Sequence, residues 1–458
     1  MTSTLEKAVG FEGHFAQLAN ELKAVGPERL HDMRREGMRM WNLAGWPTHK
    51  DEEWKYTSLR EAAGTDWTLP ESPFVPSQVN HVLAELRGVR LDVVNGIFSS
   101  NPSAKSDAPD FFAGSLRQAL EARTAEGCER AIARLGKIAT LDGKLGTTND
   151  ERFKHLNTAF LSDGIIIHVP KGVIVENPII ITYTRTCCDD RPTAIHPRAL
   201  IVLEEGAQAK VVEIYRGDGA YFTNAVTEIH VGERGILEHV RVQDESRESL
   251  HIGLVAAHQE ANSTLTSYSI QFGSKVGRVD VNLWVNGEHA ESRLDGVYVA
   301  SGEQVLDNKT RIDHAKPNCH SFEAYKGILA GKAVGVFNGK IFVYEDAQKT
   351  DAKQTNQALL LSKTATINTK PQLEIFADDV KCTHGATIGQ LREDAMFYLR
   401  ARGIPEKEAR ALLVYAFAAD VLERISLVHL REALEKELYR KLHEETGLET
   451  ASIDSVGE

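Results

Sequence analysis

The chain carries 458 residues, with 53 Lys+Arg against 65 Asp+Glu and a formal net charge of −12. Its 42% hydrophobic and 26% charged residues are an ordinary globular balance, and the length allows roughly two to four domains or one elongated fold. The acid excess argues against a nucleic-acid surface, no apolar run reaches the ~18 residues of a membrane span, and the start at Met1 lacks the basic-then-apolar pattern of a secretory leader.

From residue 1 to 145 the sequence predicts a helical region. Phe15, Leu18, Leu22 and Val25 recur at helical spacing, and Pro27 opens a second helix toward Trp41. Trp41, Trp46, Trp54 and Trp67 cluster here and are expected to form a packed aromatic anchor. Pro70, Pro73 and Pro76 mark a loop.

Residues 146–390 change texture. From about Asn157, short β-branched runs such as Ile165–Val169, Ile179–Tyr183, Ala199–Leu203, Val211–Tyr215 and Thr227–Val231 predict strands joined by tight turns. Turn-like segments beginning with a charged residue recur at Glu176, Glu205, Glu233, Glu260, Glu288, Lys316 and Glu345, in steps of 27 to 29 residues. That step suits one coil of a β-solenoid, in which each coil buries its apolar face on the next. A β-sandwich has regular short strands but no recurrence on this scale.

Residues 391–458 turn helical. A short run from Asp394 to Arg402 stops at Gly403, Pro405 starts a longer helix to about Ile425, and a last amphipathic helix covers Leu430 to His443. Ala411–Ala419 is apolar nearly all round, expected either to pack on the solenoid end or to receive a partner.

Five cysteines (Cys128, Cys187, Cys188, Cys319, Cys382) are too sparse for a disulfide framework and fit reduced thiols in a cytosol. No Cys-x-x-Cys pair supports a zinc ribbon or a self-contained ferredoxin cluster. Gly331-Lys332 and Gly339-Lys340 lack the hydroxyl and upstream glycine of a phosphate loop, so they read as solenoid turns and the chain is expected to bind no nucleotide itself. Cys319 and His320 are adjacent and face opposite ways on a strand, and the strand histidines from His168 to His314 read as structural. Cys382 and His384 differ. Two apart on an extended segment, they project from one face, and spacing alone allows either a thiol–imidazole half-site for iron or zinc or a buried Cys beside a satisfied His. Lys381 would favour the thiolate, Asp378 and Asp379 offer oxygen ligands, and Gly385 permits close backbone approach.

Several segments together carry a resemblance: Asp51-Glu-Glu-Trp-Lys-Tyr-Thr57, Asn157-Thr-Ala-Phe-Leu-Ser-Asp-Gly164, His196-Pro-Arg-Ala-Leu200, Asp378-Asp-Val-Lys-Cys-Thr-His-Gly-Ala-Thr387 and Phe397-Tyr-Leu-Arg-Ala-Arg-Gly-Ile404. They cover the whole chain, which resembles the SufB/SufD family of iron–sulfur cluster assembly proteins, and within it the SufD branch. The resemblance implies a mainly β fold, a right-handed parallel β-helix between helical N-terminal and C-terminal regions. It implies a non-catalytic cytoplasmic subunit pairing with SufB and with the SufC ATPase, the latter through the C-terminal helices. It implies a nascent Fe–S cluster or iron shared at the SufB–SufD interface, with His384 taking part and Cys382 beside it. A further SufB cysteine has no counterpart in Gln354–Leu359, which favours SufD. The chain alone is expected to form a homodimer where SufB is absent. The competing reading is a solenoid carbohydrate-active enzyme, which would need paired carboxylates in neighbouring coils, with Glu233 and Glu260 as candidates.

Overall fold

The structure, a computed structural model, describes residues 11–22, 27–70, 86–99, 110–121, 128–139, 151–186 and 191–446. Its N-terminal part holds α1 (Glu12–Glu21), α2 (Glu28–Ala44), α3 (Arg60–Gly64), β1 (Val89–Val94), β2 (Ile97–Ser99), β3 (Phe112–Ser115), α4 (Leu116–Glu121), α5 (Cys128–Ile132) and α6 (Arg152–Ala159). Strands then follow without a helix: β4 (Ile165–Val169), β5 (Ile179–Arg185), β6 (Thr193–Ile195), β7 (Arg198–Leu203), β8 (Gln208–Gly217), β9 (Tyr221–Val231), β10 (Ile236–Glu245), β11 (Leu250–Gln259), β12 (Thr264–Gln271), β13 (Val276–Val285), β14 (Glu291–Ala300), β15 (Val305–His314), β16 (His320–Leu329), β17 (Val334–Val343), β18 (Asp351–Leu360), β19 (Thr366–Ile375) and β20 (Lys381–Gly389). Helices α7 (Glu393–Ala401), α8 (Glu406–Leu422) and α9 (Val428–Thr446) follow.

Successive strands alternate between two sheets, one ordered β2-β1-β5-β8-β10-β12-β14-β16-β18-β20 and the other β19-β17-β15-β13-β11-β9-β7-β4-β3. The long strands pair in parallel, each with the strand one coil away, giving a β-solenoid of about 7 turns. The predicted solenoid is thus present. From Glu205 onward its recurring corners lie where the charged series placed them, whereas Glu176 falls beyond the first corner, which is at Lys171-Gly172. The sharp turn needs a left-handed residue, and Gly172, Gly206, Arg234, Asn262, His289, Asn318 and Lys349 all have positive φ. The corners also stack, Gly206 N–H donating to Glu233 O at 2.8 Å and Arg234 N–H to Ala261 O at 2.9 Å.

Inward side chains form one continuous core from Leu91 to Ala365. Polar groups sit inside it as matched sets. Glu213 accepts hydrogen bonds from Tyr215 and Thr227 and pairs with His239, while Glu245 does the same with Thr223, Gln243 and His251. These partners are what make such deep burial of carboxylates tolerable.

Both outer faces are covered. On one sheet lies the aromatic cluster of Phe11, Trp41, Trp54, Trp67, Phe153 and Phe222, as the four tryptophans predicted. Beside it, Leu116, Leu135 and Ile138 cover Ile166, Leu200, Val226 and Ala256. On the other sheet, Val414, Ala418, Leu422, Leu434 and Leu438 of α8 and α9 cover Val212, Val240, Ile270, Val297 and Ile328. The C-terminal helices therefore pack along the flank of the solenoid rather than on its end, fixed by Tyr268 O–H donating to Arg424 O at 2.7 Å and by a Lys326–Asp420 ion pair at 2.6 Å.

Three local expectations differ from the structure. The N-terminal region also supplies β1, β2 and β3; β1 pairs with β5, so it extends the solenoid sheet. Asn157, taken as the start of the strand region, lies in α6, where its amide donates to Pro197 O and Asn224 O, both at 2.8 Å. Gly331 occupies a turn as expected, but Gly339 lies inside β17, where an added Cβ would sit 2.3 Å from Gln354 Nε2. The loop predicted beyond Pro70, and Cys187 and Cys188, fall outside the described residues.

Candidate functional site

The solenoid is closed on its flanks and bare at its C-terminal end. Among the described residues, the last strand of each sheet, β19 and β20, has no strand beyond it. Every residue of β20 is exposed or half-exposed, as is every residue of β19. Ile375, Phe376 and Ile388 stand out as exposed apolar side chains at this end. A long edge with unpaired N–H and C=O groups and apolar side chains is a template for another chain.

Cys382 and His384 lie on that edge. The register pairs Cys382 with Ala352 and His384 with Gln354, both buried residues of the inward face of β18. Alternation therefore places thiol and imidazole on the same face, continuing the interior column of the solenoid onto its open end. Cys382 packs against the layer of Ile341, Val343, Ala347, Ala352 and Ala377 and is half-buried, whereas His384 is exposed. Beneath His384 the column continues through Gln354, whose Nε2 donates to Glu323 Oε2 at 2.8 Å.

The chemistry of the pair departs from one expectation. Burial pushes the Cys382 thiol up, with Asp351 adding to the effect, so Lys381 does not create a thiolate there. A metal must displace a proton to bind this sulfur. Asp379 is engaged at the last corner by Lys349 and by Gln348, while Asp378 is exposed. A Cβ added at Gly385 would meet nothing within 4 Å, so any close backbone approach there comes from outside this chain. Cys319 is buried and His320 exposed, on opposite faces as their adjacency requires.

The sequence reading missed one constellation. His230 of β9 and His258 of β11 are register partners on the outer face of the other sheet, with Glu260 at the next corner. The available signal was their separation by one coil step, which makes two scattered histidines stacked neighbours.

Residues 6–181 match the SufBD protein N-terminal region and residues 185–417 the SUF system FeS cluster assembly, SufBD core domain. An iron–sulfur cluster assembly SufBD family protein of Synechocystis sp. is 34% identical over 400 residues, covering 85% of this chain and 86% of the relative. The iron–sulfur cluster assembly protein SufD of Escherichia coli is 32% identical over 384 residues, covering 83% and 86%. SufD of Bacillus subtilis is 27% identical over 301 residues, covering 64% and 68%. With two family regions matched along nearly its whole length, on a parallel β-solenoid flanked by helices, the chain belongs to the SufBD family of the SUF iron–sulfur cluster assembly system.

Proposed function

We propose that this chain is the SufD-like half of a two-solenoid scaffold on which a nascent iron–sulfur cluster is built, acting as an assembly subunit and not as a catalyst. The observation that supports this is the bare terminal coil, an open edge that carries Cys382 and His384 on one face. A homologous, cysteine-bearing SufB-like subunit presenting its own edge would bury the exposed strand groups and set its ligands opposite these two. Iron, or the growing cluster, is the cargo. Half a ligand set, with a thiol that holds its proton, binds cargo weakly until the partner completes it, which suits a site that must also release. Without the partner, the same edge would pair two copies of this chain.

A SufC-like ATPase docks, on this reading, on the C-terminal helices, where Phe397, Tyr398 and Leu412 stand exposed on α7 and α8. Nucleotide is bound by that partner. Its movement would pass through α8 and α9, packed along the flank, to the solenoid and so to the edge. No helix among the described residues is long and apolar enough to cross a membrane, compatible with work in the cytoplasm. The carbohydrate-enzyme alternative has no support: Glu233 is tied to Arg234 at a corner, and the relatives are named for cluster assembly.

The test is anaerobic reconstitution of the three-protein complex with Cys382→Ser and His384→Ala made separately, followed by absorption and Mössbauer spectroscopy. Both variants should form the complex and assemble cluster more slowly. A His384→Ala complex that assembles cluster at the normal rate would remove His384 from the site.

A further inference from the structure

A second cluster of ligand-type side chains lies on the opposite sheet, several strands in from the bare end. His230 and His258 stack as register partners across β9 and β11, ring centroids 5.5 Å apart, and Glu260 follows β11 at the corner, its Oε1 3.8 Å from His258 Nδ1. One ligand atom from each of the three residues lies within 4.8 Å of the other two.

His230 is 3% exposed, and its Nδ1 is buried with no hydrogen-bond partner among the described residues. A buried ring nitrogen without a partner is unfavourable, and a bound ligand relieves it. His196 and His314 also carry a buried ring nitrogen without a partner, but among the described residues it is His230 that has two further ligand-type side chains within reach. His239 and His251, by contrast, have their carboxylates within 2.8 Å.

We propose that His230, His258 and Glu260 form a binding site for a divalent first-row transition-metal ion, separate from Cys382 and His384. Two imidazoles and one carboxylate select such an ion over Mg²⁺ or Ca²⁺, which take oxygen ligands, and leave coordination positions for water. Metal–ligand bonds of about 2.0–2.2 Å require the three donor atoms to draw to roughly 3.3 Å from one another. His258 and Glu260, both half-exposed, can turn to do so while His230 stays fixed. Arg134 is the opposing charge, close enough to act on both His230 and Glu260; Glu204 and Glu233 act on Arg134 and Glu260 respectively and offset it. The ion would fasten a corner of the solenoid beside the segment that follows α5.

This inference does not depend on the scaffold reading, and its test is made independent of it. The full chain carrying Cys382→Ser and His384→Ala is titrated with Co²⁺, reading ligand-field bands and competition with a chromophoric chelator. One equivalent should bind with bands of nitrogen and oxygen ligation. His258→Ala and Glu260→Gln, at half-exposed positions that leave the fold intact by circular dichroism, should each weaken binding ~10-fold or more. His230→Asn, which keeps a polar side chain in the buried position, should do the same. Unchanged affinity in His258→Ala and Glu260→Gln overturns the site, as do thiolate charge-transfer bands, which would place the ion on cysteine.

Discussion

Glu323 offers a direct physical test of the solenoid interior. It lies on β16 with its side chain inward, 3% exposed, and Gln354 Nε2 donates to its Oε2. Burial pushes its carboxyl from 4.5 up to about 7; the neighbouring charge of Asp295 adds to this, and Thr310 and Gln354 act against it. Because the folded value is the raised one, the folded chain holds a proton that the unfolded chain releases. The stability linked to that proton is fully present below about 4.5 and is lost as pH rises through about 7. The change corresponds to about 3 kcal/mol. Glu323→Gln keeps an acceptor for Gln354 but cannot ionise. Relative to the wild type it should therefore gain stability as pH rises from 5 to 8, approaching about 3 kcal/mol, with nearly all of the change between 5 and 7. Urea unfolding followed by far-ultraviolet circular dichroism at a series of pH values reads the difference. A stability difference that is flat with pH, or that favours the variant more in acid, would refute the reasoning.

Other consequences follow from the same structure. Arg198 and Glu228 form a fully buried pair, Arg198 also donates to Asn157 Oδ1 at 3.0 Å, and Glu228 accepts the amides of Gly136 and Ala139. Arg198→Leu should thus cost about 3–5 kcal/mol, read by denaturation, and increase amide exchange over residues 136–139. Alkylation of Cys382 by iodoacetamide, quantified at that residue by mass spectrometry, should run slower than for a free thiol and keep rising with pH beyond the ordinary thiol range, because burial raises it. Phe397→Ser should leave the melting temperature within about 1 °C, since its side chain is 75% exposed, and should weaken capture of the ATPase subunit in a pull-down.

Much of the fold is legible in the sequence because the solenoid repeats its corners. Glu205, Glu233 and Glu260 mark positions where the chain must turn sharply, and the left-handed residues Gly206, Arg234 and Asn262 follow within two positions. What alternation could not reveal is which strand face is inward. Both faces of β9 are covered, so all its residues are buried and polar side chains appear on both sides: Thr223 and Thr227 inside, Glu228 and His230 outside. The inner carboxylates Glu213, Glu245 and Glu323 were invisible for the same reason. β1 was missed because its partner, β5, is distant in sequence. Cys382 and His384 were legible as same-face neighbours, since strand periodicity alone decides that. The protonation of Cys382 was not, because it depends on burial against Ile341 and Ala352, residues one coil or more away. Likewise, His230 and His258 look unrelated until the coil step is applied to them.

The central claim is that the bare end coil is where the proposed partner solenoid docks and cargo is held, and backbone amide hydrogen exchange of the chain alone and with a SufB-like subunit tests it most directly. In the free chain the outward amides of Thr366–Ile375 and Lys381–Gly389 should exchange rapidly, having no strand beyond them among the described residues. Complex formation should protect these two strands, including the amides of Cys382 and His384. Unchanged exchange in β19 and β20, with protection appearing on another surface, would contradict the account.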